Sequence, residues 1–258
     1  MSDFKMSEEQ ISRYSRQIRM PEIGEDGQRK LLSSKVLIIG AGGLGSPAAL
    51  YLAATGVGTI GIADGDTVEL SNMQRQLLHG MSDIGRAKTD SAVDAIHELD
   101  PAVQVVPYML SVDSENLPDI VAGYDFVLEC VDDFKTKLII NDACVKTGRP
   151  FCSGSVAGFY GQIITWLPGK GPCLRCVFRD PPDGAELSSE NSGVLGASAG
   201  VIGCLQAAEA IKCLLGAGEL LTGCLLTCDL LDMEYRKIPI RRDSACPVCG
   251  KSFSEEKE

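Results

Sequence analysis

The segment KVLIIGAGGLG, residues 35–45, decides the fold of this chain. Its first part, Lys35–Ile39, is a short and almost wholly apolar run, which is typical of a buried parallel strand. Gly40–Gly45 interrupts that run, and the Ala- and Leu-rich stretch Ser46–Thr55 then continues as a helix that ends at Gly56. Glycines between a strand and a helix permit a tight turn and let backbone amides approach phosphate groups at the helix N-terminus. The segment therefore predicts a nucleotide-binding unit, without distinguishing NAD, FAD and ATP.

Strands and helices alternate along the rest of the chain. The predicted elements are strands at Thr59–Ala63, Val103–Val106, Tyr124–Leu128, Phe151–Ser153 and Gly161–Trp166, helices at Gly85–Leu99, Thr136–Thr147 and Val201–Leu215, an extended loop at Pro168–Gly196 and hairpin-like strands within Thr222–Ile240. This pattern predicts an α/β fold, a Rossmann-like doubly wound and mostly parallel sheet with a carboxyl-terminal antiparallel extension. We expect one domain over residues 1–258, with a nucleotide-binding half at 12–165. Its second half, 166–250, would hold the crossover loop, a helix, the hairpin strands and a zinc staple.

The composition excludes several classes of function. The 258-residue chain has 24 Lys plus Arg against 35 Asp plus Glu, a formal net charge of -11. Nucleic-acid phosphates and anionic membranes are bound by clustered basic residues, so neither partner is expected. Met1–Gln10 is polar, unlike a secretory signal, and Gln206 and Lys212 interrupt the apolar stretch Val201–Gly216, so no membrane span is expected. We therefore expect a cytoplasmic protein.

Acidic residues follow two of the predicted strands. Asp64 comes directly after the second strand, where a carboxylate can accept hydrogen bonds from ribose hydroxyls. The strand Tyr124–Leu128 is followed closely by Asp132 and Asp133. Open α/β sheets bind ligands at the carboxyl ends of their strands, and paired carboxylates there suit Mg²⁺, which prefers oxygen ligands and phosphate company. The sequence thus predicts a magnesium site, with a solvated acidic turn as the alternative.

Two cationic side chains lie between the second strand and the next helix. The loop Ser71–Gln76 carries Arg75, and the segment Gly85–Lys88 ends in Lys88 at the helix start. Cations beside a bound nucleotide can clamp a triphosphate and stabilise the charge that develops during group transfer. A plain surface charge is the alternative at each position.

Four of the 11 cysteines form two C-x-x-C pairs, Cys173 with Cys176 and Cys246 with Cys249. The second pair has the C-P-x-C-G form of a zinc knuckle. Four thiolates on two such turns make a closed tetrahedral Zn²⁺ site without an open position for water, so the predicted role of the metal is structural. Redox-active or merely packed cysteines are the alternative.

Taken in chain order, these motifs resemble those of the ThiF/MoeB/HesA adenylyltransferases, prokaryotic relatives of the ubiquitin-activating enzymes. The family activates the C-terminal Gly-Gly of a small β-grasp sulfur-carrier protein, of the ThiS or MoaD type, with Mg-ATP. An acyl-adenylate and pyrophosphate form, and a sulfur donor then produces a thiocarboxylate. The resemblance covers about Ser12 to Gly250 and is carried by Arg13–Gln17, Gly40–Gly45, Asp64, Ser71–Gln76, Lys88, Asp132 and the two C-x-x-C pairs.

The resemblance implies a role for each matching residue. Arg75, Lys88 and Asp132 would be catalytic, with Asp132 binding Mg²⁺, and Arg16 would reach the ATP of the other subunit in a homodimer. ATP would be bound by Gly40, Gly42, Gly43, Gly45, Asp64, Asp66, Ser71, Asn72, Arg75, Gln76, Lys88, Asp132 and Asp133. The implied partners are the carrier, a second copy of the chain and a separate sulfur donor of the cysteine desulfurase or rhodanese type. A separate donor is expected because the sequence continues only briefly after Cys249.

The chain departs from the family pattern at three positions. Ser189 stands in the loop where ThiF-like members carry a cysteine, which favours a route without a covalent enzyme–carrier link. Asp133 replaces the usual asparagine after the metal carboxylate, and Lys137 replaces a helical arginine. We expect the last two changes to alter affinity more than reaction type.

Two other functions remain open on the residues alone. An NAD(P)-dependent oxidoreductase would explain the glycine-rich loop and Asp64, but it leaves Asp132, Arg75, Lys88 and Arg16 without roles. A non-catalytic, zinc-stapled binding module would keep the fold without the chemistry.

Overall fold

The computed structural model describes residues 5–180 and 193–250. The helices are α1 (Glu8–Arg13), α2 (Ser15–Ile18), α3 (Gly24–Ser33), α4 (Gly45–Thr55), α5 (Lys88–Leu99), α6 (Leu117–Ala122), α7 (Phe134–Thr147), α8 (Leu174–Val177) and α9 (Gly196–Leu215). The strands are β1 (Lys35–Ile39), β2 (Thr59–Ala63), β3 (Gln104–Tyr108), β4 (Phe126–Glu129), β5 (Phe151–Ala157), β6 (Tyr160–Trp166), β7 (Cys224–Asp229) and β8 (Glu234–Pro239). Two 3-10 turns, Leu70–Asn72 and Met81–Asp83, lie between β2 and α5.

These strands form one 8-stranded sheet in the order β3-β2-β1-β4-β5-β6-β7-β8. β1 to β5 pair in parallel, and β6 to β8 continue the sheet in antiparallel pairing. Because β1 lies between β2 and β4, the strand order reverses at β1, and such a reversal opens a crevice at the carboxyl ends of the strands. The sheet confirms the predicted fold class. The proposed single domain with two halves stays a prediction.

Close packing between β1, its loop and α4 explains two of the glycines. Gly40 has φ +97°, and a Cβ there would lie 2.8 Å from the carbonyl oxygen of Cys130, at the end of the neighbouring strand. A Cβ on Gly45 would lie 1.9 Å from the carbonyl oxygen of Gly40, so no side chain fits at the first residue of α4. Gly56 follows the last residue of α4 as its C-cap, and its left-handed conformation suits that position. The predicted strand–loop–helix unit is therefore confirmed almost residue for residue.

Helix α9 packs against the sheet and against α4. By length and composition alone it could cross a membrane, yet 44% of its apolar window is buried inside the protein. Its polar residues are used internally, since the Gln206 amide donates to the carbonyl of Glu129 at 2.7 Å and the Glu209 carboxylate accepts from the Thr165 hydroxyl at 2.6 Å. The core of the protein explains the apolar character of α9.

Other elements differ from the sequence expectation. The helices α1, α2, α3 and α6 have no predicted counterpart, because they are short, polar or contain Gly and Pro. α5 begins at Lys88, later than expected, because Gly85 has φ +88° and Ala87 pairs with Thr67 in an isolated bridge. The described part of the expected loop Pro168–Gly196 contains the short helix α8.

Candidate functional site

Asp64 binds the glycine-rich loop directly. Its Oδ2 accepts a hydrogen bond from the backbone amide of Ala41 at 2.8 Å, and its Oδ1 accepts one from the amide of Asp66 at 2.8 Å. Each carboxylate oxygen has a further lone pair, so hydroxyl groups of a ligand can still be bound. The carboxylate is therefore fixed at the carboxyl end of β2, beside the turn that precedes α4.

A buried histidine contacts the same loop from the other side. The His79 Nε2 lies 3.0 Å from the carbonyl oxygen of Ala41, and its Nδ1 lies 2.9 Å from the Ser91 hydroxyl. Burial lowers the pKa of His79, and the nearby Lys88 ammonium lowers it further. No spacing rule points to His79, because its partners lie far away in the sequence.

Lys88 is the first residue of α5 and is held close to both acidic residues. Its side chain is 8% exposed, and its Nζ lies 2.7 Å from the Asp66 carboxylate and 3.9 Å from that of Asp64. The Asp66 side chain is 74% exposed, so its carboxylate is available to solvent while it pairs with the ammonium. The structure thus brings Asp64, Asp66 and Lys88 together.

The segment Ser71–Gln76 packs against the glycines of the loop. The aliphatic carbons of Arg75 lie 3.4 Å from the Cβ position of Gly43, and the Gln76 amide nitrogen lies 3.7 Å from that of Gly42. The Arg75 guanidinium donates to the carbonyl of Ser71 at 3.0 Å. Asn72 is buried, and its amide oxygen accepts from the backbone of the same turn. Arg75 and Gln76 therefore flank the loop, whereas Asn72 shapes the turn that carries them.

Asp132 and Asp133 follow β4 at the same edge of the sheet. Asp132 is exposed, and the turn before it touches Gly40 through Cys130. Asp133 is the N-cap of α7, because its Oδ1 accepts from the amide of Thr136 at 2.8 Å. The crevice where the strand order reverses is called the switch point. An exposed carboxylate there supplies the oxygen ligand that Mg²⁺ prefers, so the residues present fit this cation.

A buried ion pair supports the turn that carries Asp132. The Lys137 ammonium lies 2.8 and 3.0 Å from the two carboxylate oxygens of Glu129 and donates to the carbonyl of Gly154 at 2.7 Å. The same carboxylate accepts from the Ser153 hydroxyl at 2.6 Å and from the Val131 amide at 2.9 Å. Lys137 is therefore engaged inside the protein.

Arg16 lies far from these residues within its own chain. It is exposed on α2, whose neighbour Gln17 donates to the carbonyl of Thr55, the last residue of α4. α4 begins beside the glycine-rich loop and rises about 1.5 Å per residue over its 11 residues, so its two ends are about 16 Å apart. The structure does not bring Arg16 to the other predicted site residues.

The four predicted zinc ligands converge. Their sulfur atoms all lie within 4.8 Å of one another. Cys173 and Cys246 are 3.7 Å apart at sulfur, and Cys176 and Cys249 are 3.4 Å apart. A tetrahedral Zn²⁺ with Zn–S bonds of about 2.3 Å needs sulfur atoms about 3.8 Å apart, so this arrangement fits the ion.

Three of the other cysteines are packed in the hydrophobic core. Cys130, Cys144 and Cys152 are buried, and burial raises the pKa of each thiol. A protonated and enclosed thiol is a poor nucleophile. Ser189, the residue that replaces the ThiF-type loop cysteine, lies outside the described residues.

Comparison with a solved structure supports the fold. The structure of MccB from E. coli with MccA-N7isoASN superposes with a TM-score of 0.82, covering 95% of this chain and 76% of that one at 22% sequence identity. At that identity the likeness shows the fold alone.

Relatives of similar length are much closer in sequence. The SAMP-activating enzyme E1 of Haloferax volcanii is 46% identical over 243 residues, which are 94% of this chain and 90% of the relative. The sulfur carrier protein adenylyltransferase of Thermus thermophilus is 42% identical over 252 residues, 95% and 93% of the two chains.

A third relative is longer. The adenylyltransferase and sulfurtransferase MOCS3 of Sus scrofa is 45% identical over 248 residues, and the chain spans 54% of its length. The sequence model of the ThiF family matches residues 14–248. With that match over most of its length and with these identities, the chain belongs to the ThiF family.

Proposed function

We propose that this protein uses Mg-ATP to adenylylate the C-terminal Gly-Gly carboxylate of a ThiS/MoaD-like sulfur-carrier protein. The products are an acyl-adenylate and pyrophosphate, ahead of thiocarboxylate formation. The observation that carries the proposal is the set of groups at the switch point, where a glycine-rich loop, Asp64, Lys88, Arg75 and Asp132 share one sheet edge. The names of the Haloferax and Thermus relatives support this choice of substrate.

Adenylylation requires that the negative charge of the phosphates is neutralised and that the two reactants are positioned. A carboxylate that attacks the α-phosphorus is an anion approaching a polyanion, so catalysis requires cations around the phosphates and a fixed line of approach. We assign Arg75 and Lys88 to the phosphates and Asp64 to the ribose. Asp132 would hold Mg²⁺, which supplies further positive charge to the phosphate oxygens. An NAD(P)-dependent oxidoreductase would use the loop and Asp64 but would leave these cations without a role.

Lys88 is already oriented for this task. Its ammonium is paired with the exposed carboxylate of Asp66, and a phosphate oxygen can replace that carboxylate without a change in the position of α5. Since Lys88 is 8% exposed, little side-chain entropy remains to be lost when the phosphate binds.

We also assign the remaining residues and partners by proposal. Arg16, whose neighbour Gln17 contacts the C-terminal end of α4, would act on the ATP of a second copy in a homodimer. The four-cysteine cluster would bind a structural Zn²⁺. The buried thiols near the site favour sulfur delivery by a separate donor of the cysteine desulfurase or rhodanese type, and the packing of α9 in the core agrees with a cytoplasmic protein.

ATP–pyrophosphate exchange tests the function, with Gly-Gly-tailed β-grasp proteins from the same organism added one at a time. We expect exchange with at least one carrier and none without a carrier. Asp132→Ala should abolish exchange, whereas Asp119→Ala, a matched change at an exposed position of α6, should not. If protein shown to hold zinc gives no exchange with any carrier, the result would favour a binding module. Nicotinamide fluorescence on binding would favour an oxidoreductase.

A further inference from the structure

The peptide groups around Ala41 are held by side chains on both sides. The amide of Ala41 donates to Asp64 at 2.8 Å, and its carbonyl oxygen lies 3.0 Å from the Nε2 of His79. Ala41 itself is 1% exposed and His79 is 7% exposed, so the contact between them is shielded from water, whereas the contact with Asp64 is partly buried. Two hydrogen bonds to one residue, one of them buried, restrict the loop at that point.

The contact with His79 also determines where the next amide points. The described residues contain no cis peptide bond, so the Ala41 carbonyl and the Gly42 N–H lie on opposite sides of one planar group. Because His79 holds the carbonyl on the buried side, the N–H of Gly42 points away from it. Gly42 is partly exposed, and a Cβ built on it would meet only the Gln76 amide within 4 Å. The N–H therefore faces the open side of the loop, where phosphate groups bind such amides.

The same imidazole connects the loop to the helix that carries Lys88. A carbonyl oxygen only accepts, so Nε2 must carry the ring proton, and Nδ1 is then the acceptor for the Ser91 hydroxyl. Ser91 lies one helical turn after Lys88 on α5. The lowered pKa of His79 keeps the ring in this neutral form. The His79 ring thus contacts both the loop and the helix that carries Lys88.

We propose that His79 is a positioning residue that orients the Ala41–Gly42 peptide so that the Gly42 amide faces the ATP phosphates. The inference rests on the proposed function only in taking ATP as the ligand of the loop. It assigns His79 no direct contact with the nucleotide. His79 should therefore contribute to the affinity for the phosphates and not to the affinity for adenosine.

A matched pair of substitutions separates the two contacts of the ring. In His79→Gln the side-chain amide reaches the position of Nε2, so a donor for the carbonyl of Ala41 is retained. In His79→Asn the shorter side chain brings its amide only to the position of Nδ1, so that donor is lost. The control is His97→Asn, the same change at the exposed histidine of α5. Binding of Mg-ATP and of adenosine is measured by calorimetry on the full chain with its zinc, together with the KM for ATP in pyrophosphate exchange.

We expect His79→Asn to raise the Kd and the KM for ATP about tenfold, with adenosine affinity and the KM for the carrier unchanged. His79→Gln should remain within about threefold of the wild type, and the His97 control should equal it. Equal losses for ATP and adenosine, or His79→Asn binding ATP as tightly as His79→Gln, would overturn the inference. If the unsubstituted protein binds no ATP at all, the result contradicts the proposed function and does not test the role of His79. The two outcomes can therefore be distinguished.

A measurement on the unsubstituted chain needs no variant to fold. Long-range ¹H–¹⁵N spectra of the 2 histidines at pH 7.5 report which ring nitrogen is protonated, and the exposed His97 provides an internal reference. We expect the Nε2–H tautomer at His79, with no change on raising the pH. An Nδ1–H tautomer would contradict the hydrogen bond to Ala41 and with it the positioning role.

Discussion

Replacing Lys137 by methionine should destabilise the protein by an amount that grows with pH. The substitution keeps the unbranched apolar part of the side chain and removes the ammonium that lies 2.8 and 3.0 Å from the two oxygens of the Glu129 carboxylate, a group that is 0% exposed. Burial raises the pKa of Glu129, and the Lys137 ammonium opposes that rise. Without the ammonium the pKa of Glu129 rises further, so the carboxyl group has to be buried either as a lone charge or in its protonated form.

The size of the effect follows from these two choices. Leaving a lone charge buried costs about 3–5 kcal/mol. Protonating a carboxyl group at pH 7.0, when its ordinary pKa is 4.5, costs about 3.4 kcal/mol. The cheaper choice limits the charge contribution to about 3.4 kcal/mol at pH 7.0. The carbonyl of Gly154, which also loses its donor, adds about 1 kcal/mol at any pH.

The pH dependence has a definite sign. In the variant the folded-state pKa of Glu129 lies above its unfolded value, so between these values the folded state holds a proton that the unfolded state has released. The free energy of unfolding therefore falls by about 1.4 kcal/mol for each pH unit in that range. The wild type follows the same slope only up to its own, lower folded-state pKa of Glu129, so the variant's extra loss grows above that pKa and reaches at most about 2 kcal/mol between pH 5.5 and pH 7.0.

Urea unfolding followed by the fluorescence of Trp166, the single and buried tryptophan, measures this difference at constant zinc and protein concentration. Lys135→Met, an exposed change on the same helix, is the matched control. The double variant Glu129→Gln/Lys137→Met leaves no charge at these two positions, so it should recover most of the loss at pH 7.0 and show no added pH dependence. A Lys137→Met penalty that is equal at both pH values, or no recovery in the double variant, would refute the reasoning.

Three further changes probe other parts of the chain. Gly45→Ala puts a Cβ 1.9 Å from the Gly40 carbonyl, so we expect ATP binding to be lost in calorimetry, and unchanged binding would contradict the close contact. Cys246→Ser should lose zinc by elemental analysis and unfold at a temperature lower by 5 °C or more, roughly 2–4 kcal/mol, whereas full zinc content would exclude Cys246 as a ligand. Tyr14→Phe removes the 2.9 Å hydrogen bond to the buried Asp100 carboxylate, for which we expect a loss of about 1–3 kcal/mol in urea unfolding; an unchanged midpoint would show that the bond is not stabilising.

The sequence predicts what depends on local pattern. The segment 35–45 contains the strand, the turn glycines and the helix start in order, and their conformations depend on neighbours only a few residues away. The two C-x-x-C turns are also local, and the preference of Zn²⁺ for four ligands then implies that the turns meet. Asp64 and Asp132 could also be placed at one edge of the sheet, because the carboxyl ends of parallel strands lie at the same edge.

Contacts that depend on tertiary placement could not be predicted. Glu129 and Ser153 are 24 residues apart, and only the pairing of β4 with β5 brings them together. His79 is one of the 2 histidines in the chain, and nothing nearby in the sequence shows that Ala41 is its partner. Helix α3 could not be predicted, because only Gly27, Gln28 and Leu31 of its ten residues are buried, which leaves no apolar stripe to recognise.

Helix α7 links the two functional parts of the molecule. At its first turn Asp133 caps the helix and Lys137 pairs with Glu129, so the turn that carries Asp132 is fixed to β4. Near its middle, Asn141 accepts from the Leu174 amide at 2.8 Å, and Asp142 binds Arg175. Leu174 and Arg175 are the two residues between the cysteines of the first C-x-x-C pair. The four-cysteine cluster therefore does more than join the carboxyl-terminal segment to the loop before α8. It also holds the helix whose first turn positions the carboxylate that we assign to Mg²⁺.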